Sequence, residues 1–125
     1  MTRINCGIKP KELSNKHLFA EIRELKRIPN CIKNGKYNLD GIPENFKLGT
    51  GHVKFFYNKL RYLHKRFLGL QFEWLSRGFT MGNYIEVFND LPSHLYNDYK
   101  PTQADRDILI ERLKQKDFEH YKNLS

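Results

Sequence analysis

The sequence has little cysteine and no clustered metal-binding residues. Its two cysteines, Cys6 and Cys31, lack the paired spacing of a zinc site. A disulfide is not expected in the cytosol, so both are interpreted as buried or partly buried free thiols. The five histidines are scattered, and none forms a His-Glu-x-x-His motif. The sequence therefore predicts no bound metal.

Long apolar runs are also missing. No segment is long and apolar enough to predict a membrane-spanning helix, and no membrane partner is expected. The N-terminus has no apolar signal core, which favours a cytoplasmic location. Hydrophobic residues still make up 39% of the 125 residues, enough for one modest core. We therefore expect a single domain over residues 1–125.

Positive charge is abundant and unevenly distributed. Residues 1–70 carry 15 Lys and Arg against 5 Asp and Glu, whereas residues 71–125 carry 7 against 9. A basic half on a small protein favours a polyanionic partner, although net charge also serves solubility. Nucleic acid fits better than a membrane, because no segment combines a basic face with a broad exposed apolar one.

Apolar spacing predicts three helices and no strand. The first covers about residues 10–28 and ends at Pro29. The second covers about residues 52–77, roughly 40 Å at 1.5 Å per residue, and stops at Gly78. The third starts near Thr102, with a capping-box-like pair. Residues 29–50 and 80–100 are rich in turn formers, so the fold class is all-α with long ordered loops.

Three cations of the first predicted helix fall on one face, since Lys16, Arg23 and Arg27 recur at steps of seven and four. They form either a solvated face or a phosphate-contacting surface.

Glu24 lies on the mostly apolar stripe of the same helix. It is either a structural ion-pair partner of Arg27 or Arg3, or an acid or base held near a reaction centre.

These residues carry a family resemblance. The sequence resembles the phage-type pyrimidine-dimer DNA glycosylase and abasic-site lyase family, historically called endonuclease V. The matching segments span nearly the whole chain in the same order, and they include Met-Thr-Arg-Ile-Asn (1–5), His17-Leu18, Arg23-Glu24-Leu25, Leu48-Gly49-x-Gly51-His52-Val53-x-Phe55-Phe56-Tyr57-x-Lys59-Leu60, Arg77-Gly78-Phe79 and Arg112-Leu113. The resemblance implies a compact helical fold and a DNA-repair function.

The resemblance also implies roles for individual residues. Thr2, exposed by removal of Met1, corresponds to the amine nucleophile, and Glu24 to the catalytic glutamate. The implied DNA-contacting residues are Arg3, Lys16, Arg23, Arg27, Arg112 and Lys116. The implied partner is damaged double-stranded DNA, bound by a monomer without cofactor or metal. The implied location is the nucleoid of a bacterial or phage-infected cell.

An N-terminal amine suits this chemistry. Imine formation needs a neutral amine, and an α-amine has a pKa of about 7.7–8.0 against about 10.4 for lysine. A neighbouring cation such as Arg3 should lower the pKa of the Thr2 amine further by repulsion. The implied mechanism is attack on the sugar C1′, a covalent imine and strand cleavage by β-elimination.

Some positions depart from the family pattern, and they keep alternatives open. Ile22 replaces a tyrosine before the Arg-Glu pair, Lys16 replaces a glutamine, Phe67 replaces a polar residue, and the aromatic C-terminal tail is reduced to Phe118 and Tyr121. The first alternative is a lyase for abasic sites or other lesions with little dimer activity. The second is a non-catalytic basic DNA-binding helical protein, although the loop at 29–50 is too long for a helix-turn-helix motif.

Overall fold

A computed structural model describes residues 3–82 and 84–125. The described chain is all-α and contains no strand, as the sequence predicted. The three longest helices have 11, 17 and 14 residues. The α-helices are, in chain order, α1 (Asn15–Leu25), α2 (Arg27–Lys33), α3 (His52–Phe55), α4 (Leu60–Ser76), α5 (Gln103–Lys116) and α6 (Phe118–Tyr121).

The first predicted helix is divided, and the predicted end at Pro29 is wrong. A 3-10 turn at Pro10–Glu12 precedes α1, which begins after the N-cap Ser14 and ends at Leu25. Pro29 has no N–H to donate to the carbonyl of Leu25, four residues earlier, and its ring would clash with that carbonyl in a continuous helix. The helix therefore breaks at Lys26, and Pro29 lies in the first turn of α2, where an N–H needs no helical partner.

The second predicted helix is also divided, so the expected 40 Å rod is wrong. The four-residue α3 ends at Phe55, and α4 starts only at Leu60. The 17 residues of α4 span about 26 Å at 1.5 Å per residue. The ammonium of Lys59 donates to the carbonyl of Phe55 at 2.9 Å, which satisfies a helix end left open by the break.

The predicted helix boundaries that depend on local chemistry are confirmed. Gly78 follows α4 with a φ of 91°, the left-handed conformation that ends a helix. At the start of α5, the Thr102 hydroxyl accepts from the backbone N–H of Asp105 at 3.1 Å. The Asp105 carboxylate accepts in return from the Thr102 N–H at 3.1 Å, which completes a capping box.

The predicted loop at 29–50 begins only after α2, which covers its first residues up to Lys33, whereas the second loop and the free thiols agree with the sequence prediction. The described residues between 80 and 100 are irregular apart from 3-10 turns at Ile85–Phe88 and Ser93–Leu95. Cys6 is buried and Cys31 is half-buried, and both are free thiols. Within the described ranges, no helix is long and apolar enough to cross a membrane.

The core forms where α1 packs against α4, with α5 and the N-terminal segment closing over it. Residues 3–8, here called the N-terminal segment, run through this interior, and Ile4 and Ile8 are fully buried. A buried ion pair joins the two central helices: Arg66 of α4 donates to Glu21 of α1 through Nε at 2.8 Å and Nη2 at 3.0 Å. Glu21 also accepts from Asn5, and Arg66 also donates to the carbonyl of Ile8. The pair therefore joins α1, α4 and the N-terminal segment inside an otherwise apolar core.

Removal of one partner of the buried pair should destabilise the fold strongly. We expect Arg66→Met to lower the free energy of unfolding by about 3–5 kcal/mol, because it leaves the Glu21 carboxylate buried without its cation. Urea denaturation measures the loss. Lys65→Met is the matched control, because the neighbouring Lys65 makes an exposed salt bridge with Asp98 and its removal should destabilise the fold far less. Equal losses for the two variants would contradict a structural role of the buried pair.

Candidate active site

The N-terminal segment is fixed by side chains from four helices. The N–H of Ile4 donates to Nε2 of His52 at 2.8 Å, and the amide of Asn5 donates to Glu21 at 2.8 Å. The two other anchors are carbonyls: that of Gly7 accepts from Arg106 of α5 at 2.8 Å, and that of Ile8 from Arg66 of α4 at 2.5 Å. The chain is therefore held in one place directly after position 2.

The imidazole of His52 is an anchor with a defined tautomer. Because Nε2 accepts from Ile4, the ring proton resides on Nδ1, which donates to the carbonyl of Lys47 at 2.9 Å. The ring is buried beside Phe46 and Phe56. Burial lowers the pKa of His52, and the hydrogen bond to Lys47 only partly offsets this effect. The neutral ring is thus the form that holds the backbone of Ile4.

A small cleft lies between the N-terminal segment, α1 and α5. Its volume is about 80 Å³, and both carboxylates and cations face it. The residues that line it are Arg3, Asn5, His17, Ala20, Glu21, Glu24 and Arg112. The structure therefore brings Arg3, Glu24 and Arg112, three of the residues singled out in the sequence, to one place. Thr2 lies outside the described residues.

Glu24 is held at the cleft by two arginines. Its residue is 8% exposed, and its Oε2 accepts from Nη1 of Arg27 at 2.9 Å. Arg23 lies on the other side, with Nε 3.5 Å from Oε1. The predicted ion pair with Arg27 is therefore confirmed, and the same carboxylate also faces a cleft. The ion pair is compatible with a role of Glu24 as an acid or base, because the pair can also hold the carboxylate towards a ligand in the cleft.

Of the three cations predicted to share one helix face, Lys16, Arg23 and Arg27, only two lie close together. Arg27 begins α2, so the three cations do not share one continuous helix, contrary to the prediction. Arg23 and Arg27 still converge on Glu24, and their side chains are 63% and 65% exposed. Lys16 lies at the start of α1 and faces a different depression, beside Arg77 and His120. It contributes positive charge to the surface and does not line the Glu24 cleft.

The two basic residues of α5 occupy different environments. Arg112 is half-buried and lines the cleft, whereas Lys116 is exposed one turn later and does not line it. Burial and the neighbouring charge of Arg3 lower the pKa of Arg112. The guanidinium groups of Arg3 and Arg112 therefore face the same small space as the carboxylate of Glu24.

Sequence reasoning gave no site role to His17, Asn5 and Glu21, which also line the cleft. Nδ1 of His17 lies 2.6 Å from the hydroxyl of the buried Tyr121, and burial, with the charges of Arg112 and Lys16, lowers the pKa of the ring. His17 lies two helical turns before Glu24, and this spacing was the available signal. Asn5 and Glu21 gave no comparable signal, because their contact joins separate elements.

The stability of the fold should depend on pH through His52. Its folded-state pKa lies below the unfolded value of about 6.5, so its contribution is complete above that pH and is lost as the pH falls. We expect the free energy of unfolding to decline from pH 7 towards pH 5 in the parent protein, and less steeply in His52→Gln. Urea denaturation across this range measures both slopes.

The matched control for this experiment is His94→Gln, because His94 is exposed. It should keep the parent slope. His17 and His64 also have pKa values lowered by burial, so part of the decline should persist in His52→Gln. Identical slopes for His52→Gln and the parent would contradict a neutral, structurally bonded His52.

Comparison with known protein families agrees with this architecture. The family model of the pyrimidine dimer DNA glycosylases matches residues 1–86 of the 125. The matched part contains the N-terminal segment, Glu24 with its two arginines and the anchoring His52, whereas Arg112 and Lys116 lie beyond it. This chain belongs to the pyrimidine dimer DNA glycosylase family, a family of DNA-repair enzymes.

Proposed function

We propose that the protein is a DNA glycosylase with abasic-site lyase activity that acts at ultraviolet-induced pyrimidine dimers. The observation that carries the proposal is the position of Glu24: its carboxylate faces a cleft beside the fixed N-terminal segment and lies between two exposed arginines. Family membership supplies the substrate class. In this proposal the α-amine of Thr2 is the nucleophile and Glu24 is the catalytic carboxylate.

The surroundings of the cleft favour a neutral nucleophile. An α-amine has a pKa of about 7.7–8.0, so an appreciable fraction is unprotonated at neutral pH. Arg3 follows Thr2 directly, and Arg112 faces the same cleft. Positive charges close to an amine disfavour its protonated form and lower its pKa further. Four hydrogen bonds fix the N-terminal segment from Ile4 onward, and a nucleophile attached to a fixed chain favours a defined line of attack.

The proposed reaction has two stages. The amine donates its electron pair to C1′ of the damaged nucleotide, and the base leaves with the pair of the glycosidic bond and takes up a proton. Opening of the sugar ring and loss of an amine proton give a protonated imine. Removal of a C2′ proton then expels the 3′ phosphate with the C3′–O electron pair, and water hydrolyses the imine. The strand is cut on the 3′ side and the amine is regenerated.

Glu24 has two roles in this scheme. Its negative charge stabilises the positive charge that develops on the sugar as the base departs, as in glycoside hydrolysis. Its oxygens then transfer protons during ring opening and elimination. The contacts with Arg23 and Arg27 orient the carboxylate. No metal ion or organic cofactor takes part in the proposed steps.

The proposed DNA contacts surround the cleft. Arg23 and Arg27 expose most of their side chains while they orient Glu24, so they can also bind the phosphates that flank the reacting sugar. Arg3 and Arg112 would bind the anionic backbone inside the cleft. Lys16 and Lys116 are exposed farther out and would extend the contact along the duplex. We propose that the protein binds damaged double-stranded DNA as a monomer.

A second candidate function is a lyase for abasic sites with little dimer activity. The observation that favours it is Ile22, which replaces the family's tyrosine before the Arg-Glu pair and is 4% exposed in the core, where it cannot reach DNA. Of the two aromatics left in the C-terminal tail, Tyr121 is buried against His17 and only Phe118 is exposed. The ratio of cleavage rates on a dimer-containing duplex and on an abasic duplex separates the two functions.

Borohydride trapping tests the imine. Protein that begins at Thr2, mixed with a duplex containing one abasic site and reduced with borohydride, should give a covalent adduct that peptide mapping places on Thr2. A form that retains Met1 should bind the DNA without this adduct. Glu24→Gln should slow adduct formation by about 100-fold or more, because a positioned acid–base group contributes at least that much.

Glu44→Gln is the control for trapping, since Glu44 is exposed and lies outside the cleft. It should form the adduct at the parent rate. Absence of an adduct from protein shown by mass to begin at Thr2 would overturn the enzymatic proposal. It would favour a non-catalytic DNA-binding member of the family.

The salt dependence of binding tests the arginine contacts. Arg27→Ala should weaken binding to damaged and undamaged duplexes alike and reduce the slope of log K against log salt by about 1, because one phosphate contact is lost. Fluorescence anisotropy at several salt concentrations measures the slope. Arg61→Ala removes the same charge from an exposed position on α4 outside the Glu24 cluster and should leave the slope nearly unchanged. An unchanged slope for Arg27→Ala would exclude a phosphate contact.

A further inference from the structure

Aromatic side chains are concentrated on one exposed surface beside the candidate active site. Phe46, Phe55, Phe56 and Phe67 are buried in the core, but Phe19 of α1 is 46% exposed and Phe79, just after α4, is also exposed. Trp74 of α4 lies half-buried between them. We call Phe19, Trp74 and Phe79 the aromatic row. The reaction proposed above does not use it.

The three rings contact one another in sequence. The indole of Trp74 stacks on Phe79 with a centroid separation of 4.2 Å and an interplanar angle of 23°. Phe19 lies on the other side, 5.2 Å from Trp74 at 36°. Nε1 of Trp74 donates to the carbonyl of Thr80 at 3.0 Å, which fixes the indole plane. The row is therefore an ordered set of flat rings that spans two helices.

Cations adjoin the aromatic row on α1. The guanidinium of Arg23, one turn after Phe19, lies 5.8 Å from the centre of the Phe19 ring. One further turn along the same face, the ammonium of Lys26 lies 3.4 Å from the centre of the exposed Tyr84 ring. Aromatic and basic groups thus alternate along this surface, the combination that binds unpaired nucleic-acid bases and their phosphates.

Arg23 connects the row to the candidate active site. The same side chain lies 3.5 Å from the Glu24 carboxylate and against Phe19. A DNA strand whose phosphate binds Arg23 near the cleft would therefore have its neighbouring bases beside Phe19, at one end of the aromatic row. A second copy of this chain is a poorer occupant, because the protein carries a net charge of +8 and exposed cations adjoin the row.

We propose that the aromatic row is a stacking site for bases that lose their partners when the duplex is distorted next to the lesion. This inference rests on the proposed function, since it requires distorted DNA at the Glu24 cleft. The row binds bases through their flat faces, so it adds affinity for distorted over regular duplex without selecting a base sequence. It does not take part in bond making or breaking.

The single tryptophan of the chain makes the proposal directly measurable. The probe is a duplex with one tetrahydrofuran abasic analogue, which has no C1′ leaving base and cannot form an imine. Titration with this duplex should quench the emission of Trp74, because a base stacked on Phe19 or Phe79 lies next to the indole. An intact duplex of the same sequence should quench it much less.

Two ring variants test affinity. Phe19→Leu and Phe79→Leu keep apolar volume but lose the flat ring, and each should weaken binding to the tetrahydrofuran duplex by at least roughly fivefold. Binding to intact duplex should change little. Phe72→Leu is the matched control. Phe72 lies on α4, as Trp74 does, is 75% exposed and makes no ring contact with the aromatic row in the described structure. It should bind as the parent does.

Three results would overturn the proposal: unchanged Trp74 emission on saturation with the tetrahydrofuran duplex, equal effects of the Phe72 and Phe19 substitutions, or quenching that depends on protein concentration without DNA.

Borohydride trapping at saturating abasic duplex separates this proposal from the proposed function. Normal trapping with unaffected binding by the ring variants would overturn the row alone. Selective quenching without any adduct on Thr2 would overturn the enzymatic proposal and leave the row standing.

Discussion

The buried carboxylate of Glu21 connects the parts on which the site depends. It accepts from Arg66 of α4 and from Asn5 of the N-terminal segment, and Arg66 reaches onward to the carbonyl of Ile8. A buried charge is costly unless its hydrogen bonds are complete, so the three elements have little freedom to separate. Together with the bond from Ile4 to His52, this network fixes the chain immediately after the proposed nucleophile.

Helix α1 places two glutamates in different roles within one turn. Glu21 points into the core, whereas Glu24, three residues later, lies at the edge, where the arginines at the end of α1 and the start of α2 bind it. The break at Lys26 contributes to this arrangement, because it lets Arg27 begin a new helix and still contact Glu24. The interior pair holds the segment in place, and the edge carboxylate remains available to a ligand in the cleft.

The cations of this surface come from both halves of the sequence. The basic first half of the sequence supplies Arg3, Arg23 and Arg27, and α5 adds Arg112 from the more acidic second half. Arg23 adjoins both Glu24 and the exposed ring of Phe19, so the electrostatic and aromatic parts of the surface are continuous. A distorted duplex presents phosphates and unstacked bases together, and the proposed function and the proposed stacking site use these two parts of the surface.

The sequence alone determined the all-α class, the capping box at Thr102 and the stop at Gly78, because these depend on residues close together in the chain. It also placed Arg23, Arg27 and Glu24 together, since one helical turn separates them. It predicted too long a first and second helix, because Pro29 acts on the carbonyl of Leu25 and so ends the first helix before Pro29 itself, and because apolar spacing does not reveal the turn at residues 56–59. Only the tertiary structure showed that His52 and Arg66 hold the N-terminal segment. Those contacts join residues 48 and 58 positions apart, and local periodicity carries no information about pairs at such separations.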